Sequence, residues 1–185
     1  MSLVVVTTAK IEIEVKSRLD DRRFLERELG RMGARRIDDA VESDVYYNHP
    51  LRDFAQTDEA LRIRVSKGRS SLTYKGPKLD KKSKSREEII ISIEDAKKTE
   101  EILLKLGFRK VAGVRKRRRV FVWGRFEICV DRVAGLGDFF EIEAVAPKKG
   151  YEKVRDEALE LLVKLGGKEP ERRSYLEMLL PKQDR

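Results

Sequence analysis

Apolar and charged residues alternate strictly in the stretch KIEIEVK, residues 10–16. An alternation with a period of two predicts a β-strand with one apolar and one charged face. Similar patterns return in later segments, bounded by turn residues. In chain order these segments are 35–48, 60–66, 71–76, 86–93, 108–123, 125–133 and 138–146. With an opening strand over 10–17, we expect eight strands.

A period of 3.6 residues replaces the alternation in about four segments, which predicts amphipathic helices. The first runs over 20–32, where Asp20 or Asp21 can cap the N-terminus and Gly33 ends the helix. The others run over about 95–106, 151–165 and 171–179. Turn-length links join many of the strands. We therefore expect an α+β fold, an antiparallel sheet that curls into an eight-stranded β-barrel with helices packed outside.

Three other places fit neither pattern. Residues 51–59 form a polar loop, and His49 is expected to be a solvated loop residue. The segment PKLDKKSKS, residues 77–85, has no apolar anchor, so we expect it to be mobile. It is interpreted either as a solvated hairpin loop or as a basic lid that a bound phosphate orders.

Composition narrows the class of protein. The 185 residues are enough for one domain, with a core over about 10–165 and a helical tail over about 166–185. Charged residues make up 41% of the chain, an excess typical of thermophile-like, heat-stable surfaces. Neither a P-loop nor a Rossmann glycine motif occurs in the sequence.

The net charge of +9 indicates an anionic partner. The single cysteine, Cys129, suits a reducing compartment, and the first residues lack the pattern of a signal peptide or a membrane span. We therefore expect a cytoplasmic protein that does not enter a membrane.

The charged faces of the predicted strands hold like charges two residues apart, which costs stability. These faces carry Glu12, Glu14 and Lys16; Arg62 and Arg64; Lys75; Arg86 and Glu88; Lys116 and Arg118, or else Arg117 and Arg119; Glu127 and Asp131; Glu141 and Glu143. Two interpretations follow. Either the charged faces meet water in a half-solvated sheet, or external helices cover the apolar faces and the barrel encloses a charged tunnel.

A tunnel lined by both signs of charge has a chemical use. Arginine and lysine side chains hold phosphate oxygens, and carboxylates hold Mg²⁺ or Mn²⁺, which bridges to phosphate. The inventory therefore fits a polyphosphate with a divalent cation. A surface for nucleic acid would carry the basic residues without so many acids beside them.

On these motifs the chain resembles the CYTH superfamily, the triphosphate tunnel metalloenzymes, over about residues 10–165. The opening stretch matches E-x-E-x-K, and LRIR, YKGP, REE, K-x-R and CVDRVAGLGDFFEIE follow in order. The run RKRRR leaves the register of K-x-R open by one residue, and the spacing to Asp131 favours Lys116 and Arg118 over Arg117 and Arg119.

The resemblance implies an eight-stranded tunnel that binds a triphosphate with Mg²⁺ or Mn²⁺. The implied metal ligands are Glu12, Glu14, Asp131, Glu141 and Glu143. Glu88 is expected to contact these residues without binding the metal itself. The implied phosphate-binding residues are Lys16, Arg62, Arg64, Lys75, Arg86, Lys116 and Arg118. Of these, Lys16 and Arg118 are the residues expected to take part in catalysis itself.

The segment ESDVYYNHPLRDFAQTDEALRIR looks most like the class IV adenylyl cyclase branch, which implies conversion of ATP to cyclic AMP and pyrophosphate. The superfamily also contains triphosphatases, so hydrolysis of thiamine triphosphate, inorganic tripolyphosphate or a nucleoside triphosphate is the alternative. Tyr46 and Tyr47 either stack on a base or pack in the core.

Two readings do not involve an enzyme. One is an RNA or nucleic-acid binder that uses the basic run VRKRRRV, and the other is a polyphosphate-binding scaffold that has lost catalysis. A homodimer is the default expectation for the assembly.

Overall fold

The computed structural model describes residues 10–181, in eight strands and five helices. The strands are β1 (Lys10–Arg18), β2 (Arg35–Asn48), β3 (Ala60–Ser66), β4 (Arg69–Lys75), β5 (Arg86–Ile93), β6 (Arg109–Trp123), β7 (Phe126–Val133) and β8 (Gly137–Pro147). The helices are α1 (Arg22–Arg31), α2 (Phe54–Thr57), α3 (Ala96–Lys105), α4 (Tyr151–Lys164) and α5 (Tyr175–Leu179).

The strands close into an antiparallel barrel in the order β1-β5-β4-β3-β2-β6-β7-β8. The first and last strands are neighbours, and β1 pairs with β8 over nine residues, from Lys10 opposite Pro147 to Arg18 opposite Phe139. Within the described chain, β1 and β5 share two pairs, Ile11 with Glu87 and Glu12 with Arg86. The predicted α+β fold, an eight-stranded antiparallel barrel, is confirmed.

Helices cover the outer wall of the barrel. Leu25 and Leu29 of α1 and Ala158 and Leu162 of α4 pack on the apolar faces of β1, β7 and β8, where Ile13 is fully buried. On the other side, Phe54 of α2 and Leu103 of α3 pack on β3. Because the apolar faces point outward under these helices, the charged faces point into the barrel.

Side-chain caps mark the start of four of the five helices, and one helix was not predicted. Asp21 caps α1 by accepting a hydrogen bond from Phe24 N at 2.9 Å. The expected loop over 51–59 contains the single-turn helix α2, capped by Asp53, so the described chain has five helices and not four. No helix between residues 10 and 181 is long and apolar enough to cross a membrane.

The expectation that residues 77–85 are mobile is wrong for the end of that segment. Ser83, Lys84 and Ser85 are buried, and Lys84 N donates to the Glu14 carbonyl of β1 at 2.9 Å. Asp80 folds the preceding turn by accepting hydrogen bonds from Lys82 N and Ser83 N. Polar contacts, and not apolar ones, therefore anchor the end of this segment against β1.

Candidate active site

The barrel encloses a cavity of about 870 Å³. Eleven of the thirteen residues predicted for the site line it: Glu12, Glu14, Arg62, Arg64, Lys75, Arg86, Glu88, Lys116, Arg118, Glu141 and Glu143. The remaining two, Lys16 and Asp131, are almost fully buried and contact Tyr175. The register of K-x-R is thereby resolved, since Lys116 and Arg118 point inward and Arg117 is exposed on the outside.

Charge is divided between two walls of the tunnel. The adjacent strands β1 and β8 carry acids, and their register places Glu14 directly opposite Glu143 and Lys16 opposite Glu141. Strands β3, β4, β5 and β6 supply most of the cations, among them Arg62 and Lys75, whereas Lys16 lies on β1. An anion with a bridging cation fits between two such walls, with the cation on the acidic side.

Arg118 connects the two walls. Its Nε and Nη2 donate to the two carboxylate oxygens of Asp131 at 2.8 and 2.7 Å. Its Nη1 donates to Glu143 at 2.9 Å, and Nη2 also donates to Glu141. Three carboxylates therefore fix one planar guanidinium and occupy four of its five N–H donors, so two-point contact with phosphate requires one carboxylate to move away.

Each lysine of the cavity is also held by acids. Lys75 Nζ lies 2.9 Å from Glu12 and 2.8 Å from Glu88. Lys116 Nζ lies 3.2 Å from Asp131 and 3.4 Å from Glu42. These ion pairs are buried, so they hold the ammonium groups in place with little screening by salt.

Asp44 is a part of the site that the sequence reasoning missed. Its carboxylate accepts from Arg64 Nε at 2.7 Å and Nη2 at 2.8 Å, and from Arg62 Nη1 at 3.3 Å. Burial alone would raise the pKa of Asp44, but the hydrogen bond from Arg64 and the charges of Arg62 and Arg64 bring the pKa below its usual range. The carboxylate therefore stays ionised and orients both arginines.

Two further functional candidates come from segments with no strand pattern. Lys84, from the segment that was expected to be mobile, reaches into the tunnel and pairs with Glu14. Tyr175 of α5 donates from its hydroxyl to Asp131 at 2.9 Å, and its ring lies 4.1 Å from Lys16 Nζ. The sequence shows the capping box of Ser174 and Glu177 that starts α5, but nothing local shows that α5 meets the tunnel.

Crowding of the acids changes their proton affinity. Burial raises the pKa of Glu143 to about 7, and although Arg118 opposes the shift, the charges of Glu141, Glu12 and Glu14 add to it. Burial likewise raises the pKa of Glu12. Burial, followed by the charge of Lys84, lowers the pKa of Lys16 to about 7. One acid and one base of the tunnel, Glu143 and Lys16, therefore have pKa values near neutral pH.

The donor chemistry of the acidic wall fits a hard divalent cation, because Glu12, Glu14, Glu141 and Glu143 offer carboxylate oxygens alone. Among residues 10–181, however, no three acidic, histidine or cysteine side chains are gathered closely enough to ligate an ion. The carboxylates are turned instead to Lys75, Lys84 and Arg118. Binding a cation would therefore exchange one of these ion pairs for metal–oxygen bonds.

Aromatic and aliphatic side chains also line the cavity, including Tyr46, Phe54 and Val111. Tyr47 lies on the outer face of β2, where it is buried against α3 and donates to Glu100 at 2.9 Å. Tyr46 is thus the one of the pair available for a base. His49 is not a solvated loop residue, because it is half-buried and packs edge-on against Phe108.

A family model, the CYTH domain, matches residues 10–175. The chain belongs to the CYTH family. Over 171 residues it is 42% identical to a Methanocaldococcus jannaschii protein named "putative adenylate cyclase", a match that covers 91% of this chain and 98% of that one. The CYTH barrel is also similar to a solved Pyrococcus horikoshii structure, with a TM-score of 0.86, 40% identity and coverage of 93% and 99%.

A more distant CYTH relative carries a specific name. The adenylate cyclase CyaB of Aeromonas hydrophila is 28% identical over 172 residues, which cover 90% of this chain and 87% of that protein. The predicted membership in the CYTH family is thus confirmed over most of the chain.

Proposed function

We propose that this chain is a divalent-metal-dependent enzyme that converts ATP to cyclic AMP and pyrophosphate, as a class IV adenylyl cyclase does. The observation that carries the proposal is the divided tunnel, with acids on β1 and β8 facing cations on β3 to β6 around one cavity. The adenylate cyclase names of two relatives support the same reaction.

The cationic wall binds the triphosphate. Arg62 and Arg64, held rigidly by Asp44, offer guanidinium groups for two-point contact with phosphoryl oxygens. Lys75 and Arg86 extend this surface on the next two strands. Arg118 spans the acidic and basic walls, so it is placed to stabilise charge that develops on the transferred phosphoryl group.

The acidic wall holds the metal. Glu12, Glu14 and Glu141 would ligate Mg²⁺ or Mn²⁺, with Asp131 orienting Arg118 behind them and Glu143, which the family resemblance implied as a fourth ligand, kept free of the ion. Once bound, such an ion neutralises phosphate charge and makes a nearby hydroxyl more acidic. This assigns Asp131 a role different from that of a metal ligand, because its oxygens are already taken by Arg118, Lys116 and Tyr175.

Glu143 is the proposed general base. Its pKa of about 7 allows it to accept a proton from the attacking hydroxyl at neutral pH. In the cyclase reaction that hydroxyl is the ribose 3′-OH, and the bond that breaks joins the α- and β-phosphates. Tyr46 and Phe54 offer apolar surface for the organic end of a nucleotide, which favours ATP over inorganic tripolyphosphate.

Hydrolysis is the second candidate, because Glu143 could accept a proton from water in the same position. The two reactions differ in their products. Incubation with ATP and Mn²⁺, followed by ion-exchange chromatography, should give cyclic AMP and pyrophosphate in equal amounts. ADP and phosphate would indicate hydrolysis, and no turnover of ATP, thiamine triphosphate or tripolyphosphate would contradict both.

A pair of matched variants tests the site. Arg118→Gln should lower turnover by roughly 10²-fold or more, because a charge-stabilising donor is lost. Arg115→Gln changes the same residue type on the same strand but on the exposed outer face, so it should leave turnover unchanged. Glu12→Ala with Glu14→Ala should abolish turnover and leave the circular dichroism spectrum intact.

A further inference from the structure

The outer wall of the barrel carries a second concentration of charge. Five arginines and one aspartate surround a depression of about 340 Å³ where α1 meets strands β2, β6 and β7. They are Arg22, Arg36, Asp39, Arg117, Arg119 and Arg132. Two of these, Arg117 and Arg119, are among the three outward members of the run RKRRR, whose inward members line the tunnel. The basic run is therefore shared between two surfaces, and the proposed triphosphate site uses one of them.

The arrangement opposes like charges. Arg117 of β6 pairs with Arg132 of β7 directly across the ladder, an arrangement that costs stability in a sheet. A carboxylate fixes each of them from the side. Arg117 donates two hydrogen bonds to Asp39 at 2.9 and 3.1 Å, and Arg132 donates two to Asp138 at 3.0 and 3.3 Å. Each guanidinium group is thus oriented by a carboxylate.

Positive charge is in excess at the depression. Arg22 shares Asp138 with Arg132, at 2.9 Å, and Arg119 pairs with Glu26 at 2.8 Å. Arg36 has no carboxylate within 4.0 Å among residues 10–181. Five guanidinium groups therefore face three carboxylates, which leaves an excess of two positive charges.

Arg22 also presents unused donors. Its Nε and Nη2 are covered by protein, yet neither has a hydrogen-bond partner among the described residues. Nη2 is near Asp138, but the contact lacks hydrogen-bond geometry. Buried donors are normally paired, so Arg22 keeps hydrogen-bonding capacity that the described residues do not use.

We propose that this depression is a binding site for a compact anion with two phosphoryl groups, of the pyrophosphate class. Oriented guanidinium groups bind phosphoryl oxygens in pairs, and two excess positive charges match an anion that carries several negative ones. An extended nucleic-acid strand fits less well. Glu26 and Asp138 flank the depression and would repel the phosphates that continue beyond it.

The site is independent of the proposed reaction. It lies on the outer face of β6, whereas Lys116 and Arg118 face the tunnel from the inner face of the same strand. The inference therefore stands whether the tunnel forms cyclic AMP, hydrolyses a triphosphate or does neither.

Isothermal titration calorimetry of the full chain with pyrophosphate, in EDTA, tests the proposal. The double variant Arg36→Gln and Arg132→Gln should bind one fewer pyrophosphate per chain than the wild type, because affinity at the depression falls at least about tenfold. The matched control, Arg31→Gln with Arg125→Gln, removes two exposed arginines elsewhere and should keep the wild-type number. A tunnel variant, Arg118→Gln, should still fill the outer site.

Three results would overturn the proposal. The first is an unchanged number of bound pyrophosphates in the Arg36 and Arg132 variant. The second is an equal loss in the control, which would mean that overall charge alone attracts the anion. The third is binding of a labelled single-stranded RNA that depends on these two arginines while pyrophosphate binding does not. Should the double variant fail to fold, Arg36→Gln alone replaces it, because Arg36 has no ion pair to lose within residues 10–181.

Discussion

At the scale of single residues, the proposed chemistry depends on Glu143. Its pKa is raised to about 7 because it is buried among other acids, so its carboxylate form, which can accept a proton, appears as the pH passes through 7. Turnover should therefore rise with pH across that region.

Glu143→Gln should lose about 10²-fold or more of the turnover and lose the rise with pH. A pH–rate profile of kcat measures both. Glu127→Gln is the control, because Glu127 is paired across from Glu143 on β7 but is exposed. A Glu143→Gln enzyme that kept the wild-type profile would exclude Glu143 as the base.

Lys16 gives a prediction about stability. Burial lowers its pKa to about 7 in the folded chain, against an ordinary value of 10.5. Between these two pKa values the unfolded chain binds more protons than the folded one. Burial of Lys16 therefore costs stability near pH 7, and the free energy of unfolding rises by up to about 1.4 kcal/mol for each pH unit above that.

Lys16→Met removes that titration. The wild type should therefore gain stability relative to Lys16→Met as the pH rises from 7.5 to 9.5, measured as the free energy of unfolding. Urea unfolding followed by Trp123 fluorescence measures it at the two pH values. Lys10→Met, at an exposed position of the same strand, should show no such change. A difference that does not depend on pH would contradict a lowered pKa.

The residues that could be predicted from the sequence are those that follow strand alternation. Alternation places Lys116 and Arg118 on one face, and the burial of both follows from closure of the barrel. Asp44 carried the same signal, since it alternates with Glu42 and Tyr46 on β2. Lys84 could not be predicted, because a lysine between two serines in a lysine-rich segment has the pattern of a solvated residue. Its burial depends on contact with β1, which is distant in the sequence.

At the scale of elements, the segment between β4 and β5 depends on one buried ion pair. Lys84→Gln removes the ammonium that faces Glu14 and leaves that carboxylate with a weaker partner. We expect trypsin to cleave at Lys81 or Lys82 about tenfold faster, because local opening becomes more frequent.

The control for this segment is Lys82→Gln, since Lys82 is exposed and only its backbone N–H is hydrogen-bonded, to Asp80. It should leave cleavage at Lys81 at the wild-type rate. Equal cleavage at Lys81 in the two variants, read by mass spectrometry over time, would show that the Lys84 ion pair does not hold the segment.

Helix α5 depends in a similar way on Tyr175. The hydroxyl donates to the buried Asp131, and the ring packs edge-on against Phe139 at 5.2 Å between centroids. Tyr175→Phe should cost about 2 kcal/mol of unfolding free energy, and Tyr175→Ala about 3–5 kcal/mol. Urea titration compares them, and equal losses would mean that the hydrogen bond alone docks the helix.

The boundaries of the strands were predictable because turns and glycines mark them, and β3 and β5 were predicted with their observed ends. Helix α2 was not, since four residues give too little periodicity for detection. The predicted helix over 171–179 is shorter in the structure, and begins at Tyr175 where its capping box lies. The place of α5 against the tunnel depends on contacts far apart in the sequence, which no local pattern contains.

At the scale of the whole molecule, the barrel holds opposite charges together with little exposure to solvent. A ligand that binds the folded tunnel and not the unfolded chain stabilises the fold by mass action. ATP with Mg²⁺, at 100 times its Kd, should therefore raise the free energy of unfolding by about 2.7 kcal/mol.

Thermal unfolding monitored by circular dichroism tests this prediction. Sodium chloride at matched ionic strength is the first control and should not reproduce the shift, and Arg118→Gln should reduce it. An equal shift in Arg118→Gln and wild type would place the stabilising site outside the tunnel.

The pairing of β1 with β8 has a consequence for how the chain acquires its fold. During synthesis β1 leaves the ribosome first, but the strand that completes its pairing, Gly137–Pro147, is made much later. Until then Ile13 and Val15 lack the later residues that bury them, and the acids of β1 remain solvated. The low proportion of local contacts predicts slow folding, on the order of milliseconds to seconds. A nascent chain that ends before β8 should remain open to proteases and chaperones, however complete its first seven strands are.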